Sequence, residues 1–417
     1  MKNDNVMRYV IIGASAAGMA AAQTIRETDC RGRVTILTEE SDPPYFRPLI
    51  PYLISGKKSA AQMMLSGKGP YTAGDITVNT GVRVAGIDGA QKIVRTAKGM
   101  EIPFDRLLIA TGSRPHLPPE IENTAATGVF TMRTLAHARA ASVRAETARH
   151  AVMLGGGLLN LKTAFALLEK GIRVTLVVFS PEVLSQLMEP RDAARIRAAL
   201  DAAGLKILTG KRATAVISGA GGVQGVLLND GERLACEMVF IGKGGLPNTG
   251  FLKESQLCMD GGVVADRHTA TSDANIFAAG DVAVTFDPVT QARVNTGLWT
   301  NAVEMGRCAG FNMAGQKTVY SGTFGIMNAT QIANEPFVSM GVVHTLGTAY
   351  ETHIASGKNF YRKIVFSPDG ARLAGAVLSG NITGAGLLRL VMRERKPVAA
   401  FKHAVINGTL NYGHFLR

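Results

Sequence analysis

The feature that most limits how this chain can fold is a glycine-marked turn, Gly13-Ala14-Ser15-Ala16-Ala17-Gly18. An apolar run, Tyr9-Val10-Ile11-Ile12, precedes it, and an alanine-rich stretch from Ala16 to Thr28 follows. That order predicts a buried strand, a tight turn and a helix. Glycine lets the backbone approach a ligand closely, and a helix N-terminus presents free N–H groups to phosphates. The turn alone is a weak signal, because Ser15 occupies the middle glycine position of the usual G-x-G-x-x-G.

A second segment strengthens it. Ala278-Ala279-Gly280-Asp281 closes another apolar strand, Asn275 to Ala279. A carboxylate at that strand end is suited to a ribityl hydroxyl, so the two segments together describe both ends of one FAD. Glu39-Glu40 ends the second strand, Arg33–Thr38, where an acid accepts adenosine ribose hydroxyls. Prolines 43, 44, 48 and 51 stiffen the next loop, which is expected to pass over the flavin and bring Arg47 to the pyrophosphate or the ring. Leu107–Gly112 reads as a buried strand entering a tight turn, with Arg114 beyond it in reach of phosphate.

These segments carry a resemblance. VIIGASAAGMAAA (10–22), PPYFRPLIPYLISGK (43–57), LLIATGSRPHLP (107–118), VMLGGGLLNLKTA (152–164), IFAAGDVA (276–283) and LWTNAVEMGRCAGFNMAG (298–315) stand in the order and spacing of one family. The chain resembles the FAD-dependent pyridine nucleotide–disulfide oxidoreductases, and within them the rubredoxin reductase, ferredoxin reductase and nitrite reductase flavodomain branch. KIVFSPDGARLAGAVLSGN (363–381) is similar to the family's C-terminal domain. The resemblance implies an α/β fold with two interleaved Rossmann-like, glutathione-reductase-type domains and a C-terminal α+β domain. The expected division is 1–112 FAD-binding, 113–248 NAD-binding-like, 249–320 FAD-binding again, and 321–417 C-terminal. It implies a cofactor set of Gly13, Ser15, Ala16, Ala17, Gly18, Glu39, Glu40, Arg47, Pro48, Val84, Ala110, Thr111, Gly112, Arg114, Gly280 and Asp281. Trp299 and Asn301 join them from the segment that packs beside the isoalloxazine. Set against the family pattern that this chain resembles, the spacing to Pro44-Tyr45 favours Glu40 for the ribose and leaves Glu39 open.

The second nucleotide unit is read from strand Ala151–Leu154, turn Gly155-Gly156-Gly157, helix Leu158–Lys170 and strand Arg173–Val178. Gly155, Gly157 and Asn160 are its candidate phosphate contacts. It departs from the family pattern at three positions. Asn160 replaces the third glycine and is placed to donate to phosphate. Lys162 stands where relatives carry a glutamate near the flavin. Val178 stands near the place of the acid that selects NAD. Two readings follow: NAD(H) use is retained, or it is weakened or lost. No arginine follows Val178, so NADP is expected less than NAD.

The cysteines, Cys30, Cys236, Cys258 and Cys308, form no CxxC or CxxxxC pair, and Tyr45–Ile50 fills the segment where relatives carry their redox cysteines. A thiol mechanism is therefore not expected. No Cys/His spacing suits iron–sulfur or zinc, so no metal site is expected.

The expected activity is FAD-dependent NADH:acceptor oxidoreduction, exchanging electrons between NAD(H) and an iron–sulfur or rubredoxin-type carrier. Lysine and arginine number 45 against 32 acids, a net charge of +13, which suits an acidic carrier or an acidic partner subunit. No aromatic-interleaved basic stretch points to nucleic acid. Two alternatives are an FAD subunit of a larger complex, for example with a ferredoxin-like subunit and a tungsten aldehyde oxidoreductase, and a non-enzymatic flavin scaffold or redox sensor. A homodimer is a further possibility. No unbroken run of ~18 apolar residues predicts a membrane span. Lys2 and Arg8 before small apolar residues imitate an export signal, but the dinucleotide turn occupies that stretch. A cytoplasmic location is expected.

Overall fold

The computed structural model describes residues 6–65, 76–323 and 327–415, so Lys2 lies outside the described residues. The first apolar run forms strand Arg8–Ile12 at the centre of a five-stranded parallel sheet. Arg33–Leu37 and Ile76–Asn79 lie on one side of it; Arg106–Ile109 and Ile276–Ala278 lie on the other. The order reverses at the first strand, and the crevice there lies beyond the strands' carboxyl ends, where ligands bind such sheets. The helix after the first turn runs Ala16–Thr28, as its sequence predicts.

That helix packs closely against helix Trp299–Met313. Small residues allow it: a Cβ added at Gly306 would meet the Ala17 carbonyl oxygen at 2.2 Å. The contact joins the helix that follows the Gly13–Gly18 turn to the helix that begins at Trp299, and both segments line the candidate FAD site. Gly306→Leu should therefore cost more than the usual overpacking penalty of about 1–3 kcal/mol, because backbone rather than a movable side chain is struck. Chemical denaturation would read the loss, and an unchanged midpoint would refute this packing.

The architecture repeats. Strand His150–Leu154 sits inside a second five-stranded parallel sheet with Arg173–Val178 and Lys206–Thr209 on one side and Met238–Ile241 and Val129–Phe130 on the other. Gly155 takes φ +111°, matching φ +115° at Gly13; added side chains there would strike the carbonyls of Gly242 and Ala110. The two passages between the sheets pair with each other, Ser113–Pro115 antiparallel to Gly245–Pro247. The α/β class and the C-terminal α+β unit expected from sequence are both present.

The C-terminal unit is a five-stranded antiparallel sheet ordered Met327–Ile332, Glu335–Gly341, Leu373–Gly380, Phe360–Phe366, Glu351–Gly357. Alternation assigns its faces. Phe337, Tyr361 and Val377 pack with Met188, Ala193 and Ile196 of the second nucleotide unit. Val338, Ile364 and Leu378 pack with the chain's own Leu388, Val391 and Val405. Lys363 lies on the first of these faces with Tyr361 and Val377, fully buried, and donates to Glu189 Oε2 at 2.8 Å, Asp192 Oδ2 at 3.3 Å and the Val343 carbonyl at 2.7 Å. No described helix is long and apolar enough to cross a membrane.

Candidate functional site

A cavity of about 940 Å³ runs along the carboxyl ends of the first sheet. Glu39, Arg83 and Val84 line one end, the turn Gly13–Ala17 its middle, and Gly280, Asp281 and Trp299 the other end. Its volume and its position across the strand reversal suit a dinucleotide. The helix over this turn has no side-chain cap at Ser15 and no acid in its first turn, so its N–H groups remain available for phosphate oxygens. The residues present therefore fit FAD.

Arg47 is fixed from four directions. It donates to Glu40 Oε1 at 2.7 Å, the Tyr45 hydroxyl at 2.9 Å, the Arg133 carbonyl at 2.6 Å and, more weakly, Ser15 Oγ at 3.4 Å. The Ser15 contact puts it on the pyrophosphate side. Tyr45 in turn donates to Glu40 Oε2 at 2.7 Å and accepts from the Leu135 amide. Burial is the main reason its phenol is pushed far up from 10.0, so it stays a neutral hydroxyl. Glu40, which the spacing favoured for ribose, thus has both oxygens engaged by protein. Among the described residues, exposed Glu39 makes only a long 3.7 Å pair with Arg83, leaving it freer to accept from a ligand.

At the other end, Asp281 Oδ2 accepts from Ser113 Oγ and from Arg133 Nη2, each at 2.9 Å. Arg133 also donates to the Ser113 carbonyl at 2.9 Å. Sequence reading missed Arg133, because within Met132-Arg133-Thr134 nothing separates it from a solvated basic residue; only the fold carries it into the cavity. It also missed His137, which lines the same wall and accepts at Nδ1 from the Arg133 amide. Burial lowers the His137 pKa, against the pull of Glu40. Asn248 was missed as well: it clamps the Ala110-Thr111-Gly112 turn through reciprocal 2.9 Å bonds with Thr111.

Pro48, Ala110, Thr111, Gly112 and Arg114 also line the cavity. Gly18 does not; its missing Cβ lets the helix sit on the Gly13 carbonyl. Trp299 lines the far end and packs edge-to-face with Phe46, the ring centres 4.6 Å apart. Asn301 is buried and turns to Thr296 and Thr323 instead of the cavity.

In the second unit, Asn160 Nδ2 donates to the carbonyls of Leu154 at 3.2 Å and Gly155 at 2.8 Å. Both amide protons are engaged within the turn, so this side chain braces the loop and is not free to donate to phosphate. Gly242 makes room for it. Leu159 reaches the FAD-type cavity, whereas Lys162, half-buried on the same helix, is not on its wall. Burial lowers the Lys162 pKa, and no ion pair holds it among the described residues.

No cysteine lines the cavity among the described residues. All four are free: Cys30 and Cys258 are exposed, and Cys236 and Cys308 are buried. Burial pushes the Cys236 thiol up to about 12 and that of Cys308 to about 11, far from thiolate reactivity. A variant with all four changed to Ser should keep its electron-transfer rate within about twofold once loaded with FAD, at some cost in stability from the two buried sites. Loss of turnover in a folded, flavin-loaded variant would restore a thiol mechanism.

Residues 7–306 match the pyridine nucleotide-disulphide oxidoreductase family. A rubredoxin-NAD(+) reductase of Ectopseudomonas oleovorans is 29% identical over 313 residues, covering 75% of this chain and 81% of that protein. The epsilon subunit of an NADH-dependent phenylglyoxylate dehydrogenase of Aromatoleum evansii is 26% identical, covering 93% and 92%. In structure, the chain resembles a covalent putidaredoxin reductase–putidaredoxin complex, with TM-score 0.86, 23% identity and coverage of 97% and 99%.

Proposed function

Because this chain belongs to the pyridine nucleotide-disulphide oxidoreductase family, we propose that it is an FAD-dependent enzyme passing electrons between NAD(H) and an iron–sulfur or rubredoxin-type carrier. One observation carries the reading: a cavity of about 940 Å³ lined by the Gly13–Ala17 turn and by Asp281, with no thiol on its described wall. When bound, FAD supplies the exchange between a hydride and single electrons.

The chain's own residues bind and orient. In this reading, the N–H groups of the Gly13–Ala17 turn hold the pyrophosphate, with Arg47 supplying positive charge. Glu39 accepts from the adenosine ribose, while Glu40 keeps Arg47 in place. Asp281 takes a ribityl hydroxyl on the oxygen that Arg133 and Ser113 leave open. Trp299 closes the ring end. Lys162, off the wall, acts on the flavin by charge alone. Lys162→Glu should then lower the flavin midpoint potential by about 30 mV, equivalent to about 1.4 kcal/mol for two electrons. A dye-referenced titration showing no shift would remove Lys162 from the flavin's surroundings.

The net charge of +13 supports an acidic carrier, drawn in by long-range attraction. NADH-driven reduction of a purified rubredoxin or ferredoxin, followed at the carrier's own absorbance, tests this. The rate should fall steeply as salt rises. No reduction of either carrier by a flavin that NADH does reduce would refute the proposed acceptor class.

A second reading, a flavin subunit of a larger oxidoreductase complex, has its own support: the match to the epsilon subunit spans nearly the whole of both chains. Native mass and iron co-purifying from the source cell distinguish the two. Either reading places the chain in the cytoplasm, beside its soluble nucleotide.

A further inference from the structure

The second nucleotide unit ends its second strand without an acid. Val178 is buried, and Phe179, the next residue, is 60% exposed. In such a unit this strand end lies beside the adenosine ribose. An acid there accepts from the 2′-hydroxyl and repels a 2′-phosphate, while a nearby arginine accommodates that phosphate. Sequence order offered no arginine, but the fold supplies one. Arg212, from the connection between strands Lys206–Thr209 and Ala213–Gly219, sets its guanidinium carbon 5.8 Å from the centre of the Phe179 ring.

The main chain holds this juxtaposition. The Lys211 amide donates to the Val178 carbonyl at 3.3 Å. The Arg212 amide donates to Asn229 Oδ1 at 2.9 Å, and the Asn229 amide returns a bond to the Arg212 carbonyl at 3.0 Å. Neighbouring charges are already matched. Lys211 pairs with Asp230 and Glu232, and Glu182 pairs with Arg197. Arg212 alone of this group has no carboxylate within 4.0 Å among the described residues. Its charge is left facing the strand end that a nucleotide's ribose would reach. Helix Leu158–Leu168 has no side-chain cap and no acid in its first turn, so its N–H groups remain for the pyrophosphate.

We propose that Phe179 and Arg212 form the adenosine end of the second nucleotide site, Phe179 supporting the adenine and Arg212 the 2′-phosphate. The chain therefore accepts NADPH at least as well as NADH. This rests on the reading that the second unit holds a nicotinamide dinucleotide.

The test is calorimetric titration of the flavin-loaded protein with ADP-ribose and with 2′-phospho-ADP-ribose. Neither carries nicotinamide, so binding alone is read. The phosphorylated form should bind as tightly or more tightly. Arg212→Ala should weaken it about tenfold while changing ADP-ribose less than about threefold. Phe179→Glu, at an exposed position, should reverse the preference by restoring an acid. Wild-type protein binding ADP-ribose about tenfold more tightly than its phosphorylated form would overturn the proposal and leave NADH use standing. An Arg212→Ala variant that changes neither affinity would reduce the contact to a surface stack and overturn it too. If neither compound binds, the nicotinamide reading falls first and takes this proposal with it.

Discussion

Asp281→Ala should purify largely without FAD. The carboxylate holds Ser113 and Arg133 in place and, in our reading, accepts from a ribityl hydroxyl. A charge-assisted bond of this kind contributes roughly 1.5–3 kcal/mol, or about 10- to 150-fold in FAD affinity. Arg133 is left without its partner but is partly exposed and can rehydrate, so the fold should persist. Asp281→Asn keeps an acceptor and should lose less. Flavin per protein after dialysis reads the effect, with circular dichroism as the folding control. An Asp281→Ala protein that keeps a full FAD complement would show that the cavity's far end is not the ribityl site.

Lys363→Met should be among the most destabilising single changes in the chain. Removing the ammonium takes the buried cation from Glu189 and Asp192 and leaves them the half-exposed Arg191, 2.9 Å from Glu189 Oε2 and 3.9 Å from Asp192 Oδ1, a loss of about 3 kcal/mol. Glu189 also accepts from the amides of Thr345 at 2.5 Å and Leu346 at 2.9 Å, and the Tyr361 hydroxyl donates to Asp192. The cluster thereby ties the second nucleotide unit to the C-terminal sheet. Neutralising both acids in the Lys363→Met background, with Glu189→Gln and Asp192→Asn, should recover much of the loss, because two buried carboxylates that share one half-exposed arginine cause it. No recovery would assign the effect to packing.

The same cluster sets an acid limit. Burial alone would raise the Glu189 pKa, but Lys363 and the two amides more than offset it and bring the group from 4.5 to about 2. A depressed carboxylate stabilises fully above its unfolded pKa, and that stability is lost as pH falls through its folded pKa. Stability from Glu189 should therefore be complete above about pH 4.5 and disappear toward about pH 2. Denaturation midpoints across that window should converge for wild type and Glu189→Gln.

What the sequence revealed was what local chemistry encodes. A strand feeding a small-residue turn and helix is a nearest-neighbour pattern, and helix Ala16–Thr28 and strand Arg173–Val178 form where that pattern places them. Side-chain partners were harder to read because they come from distant segments. Glu40 looked like a ribose ligand until Arg47 and Tyr45 closed on it. Asn160 looked free until its amide met the carbonyls of Leu154 and Gly155. Arg133 and Arg212 are ordinary surface arginines in sequence, and only tertiary packing brings one to Asp281 and the other to Phe179. Lys363 sits in an apolar strand, and nothing local announces that two carboxylates from another unit will neutralise it.

The central claim is that a nicotinamide nucleotide exchanges electrons with FAD in this chain without help from a thiol. Anaerobic titration of the purified protein with NADH, followed by the visible flavin absorbance, tests it most directly. The account predicts that the flavin band bleaches to completion with one NADH per flavin, and equally in the cysteine-free variant. A flavin that dithionite bleaches but excess NADH leaves oxidised would contradict it.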